Sequence, residues 1–223
     1  MAGTLKKDYH ESRKRRIDYI YRLRRRGREV EKIIRSSFPN PSLLDCLDIG
    51  TADGLMLSEL NRRLNFNRAV GIDMSEELIK SNKDKTISLE AGNAEKLRFR
   101  ENSFDVAVAA AVIEHVDSPD RMLSECHRVL KPNGILILTT PNLVHDKIAG
   151  KIGYLKSGDH LITFTIPTLS NALKRNRFNV VKSQYFMFWP FFRVPLEDLI
   201  ESVLRRIGLG KLMSNQLVVG KKS

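Results

Sequence analysis

Apolar residues along this chain fall into short runs that alternate with stretches of helical period, and glycine, proline and asparagine stand at the joints. Residues 43–49 form a short apolar run ending at a glycine, and Leu55–Leu64 repeats its apolar positions at helical spacing. Residues 69–72 are apolar and close on Asp73. Ser75 then reads as the N-cap of a helix with Glu76 and Glu77 in its first turn, where the helix dipole favours acids. Residues 86–91 predict a strand, and the apolar run 104–111, interrupted only by Asp105, predicts one buried on both faces. Ser118-Pro119 opens a helix through Leu130, because proline at a first helical position lacks only an N–H that has no helical partner there. Lys131-Pro132-Asn133-Gly134 predicts a turn and residues 135–140 a fifth strand.

The two ends of the chain read differently. Ile17, Ile20, Tyr21, Val30, Ile33 and Ile34 predict one or two amphipathic helices, stopped at Phe38-Pro39-Asn40-Pro41. Residues 166–174 predict a helix, and 180–186 and 216–220 predict strands separated by a stretch with a helix over 195–207. Two late strands with only that excursion between them would pair antiparallel. Short strands alternating with helices imply an α/β fold, a doubly wound, mostly parallel seven-stranded sheet with an antiparallel edge strand. The expected organisation is a basic helical extension over 1–40 and one domain over 41–223, with 187–212 as an aromatic, amphipathic insert between the last two strands.

Composition narrows the class. The 223 residues are 42% hydrophobic and 29% charged, enough to bury a core. Cys46 and Cys126 carry no metal or redox spacing and read as reduced structural thiols of a cytoplasmic protein. No secretory signal opens the chain, and its longest apolar run, 106–113, is far short of the ~20 residues that span a bilayer. The net charge of +12 is uneven: the first forty residues hold 13 Lys and Arg, including 13–16 without a break, against five acids. Such a block fits a polyanion, either a nucleic acid or an anionic membrane surface with the protein bound peripherally. It equally fits a solvated helix face with no partner. The oligomeric state is not legible.

In open α/β sheets ligands bind beyond the carboxyl ends of the strands, where strand order reverses. There the chain places Leu47-Asp48-Ile49-Gly50-Thr51-Ala52-Asp53-Gly54. Gly50 and Gly54 permit a tight turn close to a ligand, as in nicotinamide-cofactor sites. The acids argue otherwise: Asp48 and Asp53 would repel a pyrophosphate and suit a ligand carrying an ammonium and a sulfonium. Asp73 closes the second strand near the separation, about 20 residues, at which an acid meets ribose hydroxyls.

LDIGTADG, GIDMS, AGNAEKLRF, FDVAVAAAVIEHV and HRVLKPNGILILTTPN resemble, in order, the successive motifs of class I S-adenosylmethionine-dependent methyltransferases, the subgroup being the type 11, quinone-biosynthesis-like enzymes. The resemblance implies a Rossmann-like fold with S-adenosyl-L-methionine as cofactor. It places Asp48 and Gly50 at the methionine part, with Thr51, Ala52 and Gly54 completing the loop. Asp73 would accept from both ribose hydroxyls, with Met74 beside it. Asn93 stands where the family has an aspartate at the adenine amino group, Ala94 would offer its backbone N–H, and Ala110 with Ala111 would line the path to the methyl group. Ala52 and Asn93 depart from the family pattern.

Glu114-His115 are the catalytic candidates, with His160, and with His145 also on the substrate side. Relatives that bind a divalent metal here use Glu-x-x-Glu-His, but Ala111 replaces the first glutamate, so no metal is expected. The sulfonium already makes the methyl electrophilic, so alignment is the main demand and no base is obligatory.

The acceptor is expected to be a small molecule. The Asn/Asp-Pro-Pro-Tyr/Phe signature of many amino-methylating enzymes is missing after the fourth strand. Tyr185, Phe186, Phe188, Trp189, Phe191 and Phe192 crowd before an apolar helix, as a lid over an apolar substrate, a surface entering a bilayer interface or a packing face. The leading function is methyl transfer to an apolar, lipid- or quinone-like acceptor at oxygen or carbon. The alternatives are an RNA- or protein-directed methyltransferase and a non-catalytic cofactor-binding scaffold.

Overall fold

A computed structural model describes residues 17–142 and 162–223 of the chain. The first described element is helix α1, Ile17–Ser37, a single helix across the described part of the segment where one or two were expected. After a 3₁₀ turn at Pro41–Leu43, the alternation runs β1 (Asp45–Ile49), α2 (Leu55–Leu64), β2 (Arg68–Asp73), α3 (Glu76–Lys80), β3 (Ser88–Ala91), β4 (Phe104–Ala110), α4 (Pro119–Val129) and β5 (Leu130–Pro141). The chain closes with α5 (Ile166–Arg175), β6 (Phe178–Phe186), α6 (Glu197–Arg206), a 3₁₀ helix (Leu209–Leu212) and β7 (Asn215–Lys222).

The strands form one seven-stranded sheet in the order β3-β2-β1-β4-β5-β7-β6. All neighbours from β3 to β5 pair parallel, whereas β7 runs antiparallel to both β5 and β6. The two late strands therefore pair as expected, and the antiparallel one is inserted one place in from the edge. Strand order reverses between β1 and β4, which sets the ligand crevice at their carboxyl ends.

Local chemistry fixes the helix starts. Ser75 and Ser118 accept from the N–H groups of Leu78 and Arg121, capping α3 and α4. The turn expected at 131–134 is a bulge within β5. Phe104 pairs with Leu130 and Val106 with Ile135, and Asn133 takes a left-handed φ of 66° to absorb the extra residues. Lys131 then reaches the carboxylates of Asp45 (3.0 Å) and Asp105 (2.8 Å).

An apolar core lies on each face of the sheet. One gathers Leu47, Ile49, Ala107, Ala109, Leu136 and Leu138 with Met122, Leu123 and Cys126 of α4 and Leu169 and Leu173 of α5. The other gathers Cys46, Val106, Val108, Ile135 and Ile137 with Leu57 and Leu60 of α2 and Val30, Ile33 and Ile34 of α1. Burying each of the Leu, Ile, Val and Met side chains contributes about 1.5–3 kcal/mol. Val30, Ile33 and Ile34, from the segment expected as a basic extension, thus lie in this second core. Among the described residues no helix is long and apolar enough to cross a membrane.

Candidate functional site

At the end of β1 the chain turns toward β2: the N–H groups of Gly50 and Thr51 both donate to Ile72 O, at 2.8 and 2.9 Å. The turn uses left-handed backbone at Gly50 (φ 70°), Ala52 (53°) and Gly54 (77°). A left-handed residue 52 explains why the resembled family has glycine there, since a side chain costs about 1 kcal/mol in that region. Ala52 accepts the cost and donates its N–H to Asp73 Oδ2 at 2.8 Å. Gly54 caps α2 and donates to Thr51 O at 2.9 Å.

Asp48 sits beneath this loop, buried, with Oδ2 accepting from the Thr51 hydroxyl at 2.8 Å and Oδ1 having no hydrogen-bond partner. Burial pushes its carboxyl up to about 7. The Thr51 hydrogen bond opposes the rise and the nearby Asp73 charge adds to it. Asp73, half-buried at the tip of β2, accepts from Ala52 N through one oxygen and from Ser75 N (2.9 Å) through the other, so it staples the loop to β2. Each oxygen keeps a second lone pair for a ligand hydroxyl. Met74 beside it is exposed.

The remaining positions follow at the neighbouring strand ends. Asn93 lies past β3, exposed, with its side-chain oxygen accepting from Glu95 N at 2.8 Å, so the amide expected at an adenine edge also builds the turn that carries it. Ala94 is buried behind it. Ala110 ends β4, and Ala111 follows with a φ of 60° and its N–H on Thr139 O at 2.8 Å. Asp48, Gly50, Thr51, Ala52, Gly54, Asp73, Met74, Asn93, Ala94 and Ala110 therefore all stand at one end of the sheet.

Two residues of this site escaped the sequence argument. Gly71 lies opposite Asp48 in β2, and a Cβ there would come within 2.7 Å of Thr51 Oγ1. Its glycine makes room for the hydroxyl that holds Asp48, and a glycine inside an apolar strand was the available signal. Val112 closes over Gly50, where an added Cβ would run into Val112 Cγ2.

The catalytic candidates separate. His115 is exposed on the turn after β4, whereas Glu114 is buried and its carbonyl accepts from Ile162 N at 3.3 Å. His145 and His160 lie outside the described residues. Among the described residues no three His, Cys, Asp or Glu cluster as metal ligands. Burial pushes the Cys126 thiol up to about 12 and the Cys46 thiol well above its usual value, so neither offers a thiolate.

Part of the basic segment is internal to the fold. On α1, Arg22, Arg24, Arg25, Arg28, Lys32 and Arg35 all pair with acids of the same chain. Arg26 donates to Asn215 Oδ1 at 3.2 Å. Arg25 is fully buried among Glu29, Glu197 and Glu201. Arg25, Arg28 and Lys32 meet acids of α6, while the side chains of Arg24, Lys32 and Arg35 stay more than half exposed. The six cations at 6, 7 and 13–16 lie outside the described residues.

A buried carboxylate with one open acceptor, a left-handed loop over it and a second acid at the tip of the next strand fit a ligand that presents an ammonium and a ribose. The comparisons agree. Residues 47–138 match the family described as "Methyltransferase domain". The chain is 31% identical to the ubiquinone/menaquinone biosynthesis C-methyltransferase UbiE of Rickettsia felis over 68% of its own length and 66% of that protein's. It is 38% identical to the ubiquinone biosynthesis O-methyltransferase of Caulobacter vibrioides over 49% and 46% of the two chains. In each case it spans less than two thirds of the relative. An S-adenosylmethionine-dependent methyltransferase from Archaeoglobus fulgidus superimposes with a TM-score of 0.64 at 20% identity, over 92% of this chain and 99% of that one, and so shares its fold.

Proposed function

The chain belongs to the class I S-adenosylmethionine-dependent methyltransferases, and from that membership we propose that it methylates a small apolar acceptor of quinone or lipid character, at oxygen or carbon. The observation that carries the cofactor half is the open Oδ1 of buried Asp48 beneath the Gly50–Gly54 turn. When bound, the cofactor supplies a methyl group already activated by a sulfonium.

The protein's own residues then hold and align. Asp48 takes the ammonium of the methionine part, and Asp73 takes the ribose hydroxyls with the lone pairs not used by Ala52 and Ser75. Ala110 and Ala111, small at the end of β4, leave room for the acceptor to approach in line. His115, exposed on the turn after β4, is our candidate to receive an acceptor's proton. The quinone-type acceptor is supported by what the two relatives are described as doing and by the aromatic segment 185–192. A nucleic-acid acceptor would rest on the cations at 6, 7 and 13–16, since those of α1 named above pair with acids of the chain.

Calorimetric titration with S-adenosylmethionine and S-adenosylhomocysteine is the direct test. Both are expected to bind in the micromolar range, and Asp73→Asn, which keeps one acceptor oxygen, is expected to weaken each by about tenfold. Binding should be followed by transfer of labelled methyl to demethylated quinols. Failure of both compounds to bind the wild-type protein would remove the enzyme reading. Binding without transfer to any quinol, phenol or lipid would leave a scaffold.

A further inference from the structure

Helix α6 faces the opposite way from an ordinary surface helix. Its acids Glu197 and Glu201 are buried, while Leu196 (73% exposed), Leu199 (59%), Val203 (46%) and Ile207 (61%) face solvent along one stripe. The cause lies on α1. Arg25 Nη2 bonds Glu201 Oε2 at 2.7 Å, Arg28 meets Glu197 at 3.2 Å, and the Tyr21 hydroxyl donates to Glu197 at 2.7 Å. Pinning the polar face inward turns the apolar face out. The loop leading into α6 adds exposed Trp189 and Phe192, and the 3₁₀ helix after it adds Leu209 and Leu212.

Charge identifies what covers such a face. Arg193, Arg206 and Lys211 are exposed around it, and Arg206 stands one turn beyond Val203 on the same helix face. The segment's exposed acid, Asp198, pairs with Lys32 at 3.3 Å. The stripe is therefore apolar with a cationic rim. A second copy seated on it by a two-fold axis would set Arg193, Arg206 and Lys211 against themselves, whereas a surface bearing fixed negative charge complements them. The four consecutive cations at 13–16 join the chain at Ile17, one turn before the tyrosine that binds the start of α6.

We propose that this face docks the protein on an anionic phospholipid bilayer, with α6 lying in the plane of the surface and Leu196, Leu199, Val203 and Ile207 entering the boundary between headgroups and acyl chains. Trp189 and Phe192 sit at headgroup depth, where amphipathic rings are favoured. The docking goes beyond the methyl-transfer reading and does not depend on which acceptor is used.

The test uses the full chain and phosphatidylcholine vesicles with about a third phosphatidylserine. The protein is expected to co-sediment with them at low salt, to bind pure phosphatidylcholine far less, and to shift the emission of its single tryptophan, Trp189, to the blue. Leu199→Asp with Val203→Asp, both at exposed sites, is expected to cut partitioning by about tenfold or more while S-adenosylhomocysteine binding stays unchanged. Absence of co-sedimentation overturns the proposal. So does a double variant that sediments like the wild type, which assigns vesicle binding to the basic N-terminal residues alone. A wild-type dimer that the double variant converts to monomer, with no vesicle binding by either, assigns the face to a second copy and also overturns it. Vesicle binding without cofactor binding would sink the methyltransferase proposal and leave this one standing.

Discussion

Arg25→Met is expected to remove about 3–5 kcal/mol of stability, the cost of leaving buried carboxylates without their cation. Arg25 is fully buried and contacts Glu29, Glu197 and Glu201, so methionine fills the space and strands the acids. Domains of this kind carry about 5–15 kcal/mol in total, so the loss is a large share. Urea unfolding followed by circular dichroism would read it. The cluster is wired further: Gln184 Nε2 donates to Glu29 at 2.7 Å and Phe188 N to Glu201 at 3.0 Å. The damage should therefore fall on the α1–α6 contact and the loop before α6. Adding Glu29→Gln and Glu201→Gln to the methionine variant is expected to restore most of the loss, because neutral groups no longer need the guanidinium. A single variant costing under about 1 kcal/mol would mean that water reaches these acids.

Acid should weaken the same contact. Burial alone would raise the Glu29 carboxyl, but the charge and hydrogen bond of Arg25, with help from Lys32, outweigh it and hold the group below its ordinary value of 4.5. A depressed carboxyl contributes stability above its unfolded-state value and loses it as pH falls through the folded-state value. The Glu29 contribution is thus complete at neutral pH and disappears on acidification below about 4.5.

The centre of the sheet was legible because β1, β4 and β5 are buried on both faces and carry nearly continuous apolar runs, as in 106–111 and 135–138. The loop residues were legible because glycine and acid mark the strand ends. What could not be read are decisions taken across long separations. Arg25 and Glu201 lie 176 residues apart, and neither neighbourhood announces the other. Periodicity revealed that 195–207 is amphipathic, but it gives no sign of which stripe turns inward, and here α1 reverses the usual choice. The same pairing draws Arg25 of the basic block into the interior. At the site, Asn93 reads from sequence as either a ligand or a turn residue, and its side chain does make the turn, accepting from Glu95 N. Glu114 and His115 are adjacent in sequence, yet one is buried and the other exposed, because the chain turns tightly there and His115 N closes on Val112 O at 2.8 Å.

Asp48→Asn is expected to separate cofactor binding from stability by moving them in opposite directions. On the proposed function, Asp48 meets the ligand's ammonium in a buried place, and truncating one partner of such a pair costs about 2–5 kcal/mol of affinity, roughly thirty- to several thousand-fold. The amide keeps the shape and the Thr51 contact but supplies no charge. In the ligand-free protein the carboxyl, pushed up to about 7 by burial, is held against its preference whenever the pH exceeds that value. A raised carboxyl makes the folded state bind the extra proton, so stability falls as pH climbs from about 4 to about 7, by up to about 4 kcal/mol. The asparagine variant should therefore melt higher than wild type at pH 8 and match it near pH 4. Ligand binding carries the complementary signature. Only ionised Asp48 attracts the cation, so wild-type affinity for S-adenosylmethionine should rise about tenfold from pH 6 to pH 8 and level off, with a proton released per ligand bound at pH 6. Calorimetry in two buffers of different ionisation enthalpy would count that proton. A flat pH profile with no proton release would place the ammonium elsewhere, whereas a variant both stabler and unable to bind would show that the buried charge is kept for its ligand at the expense of the fold.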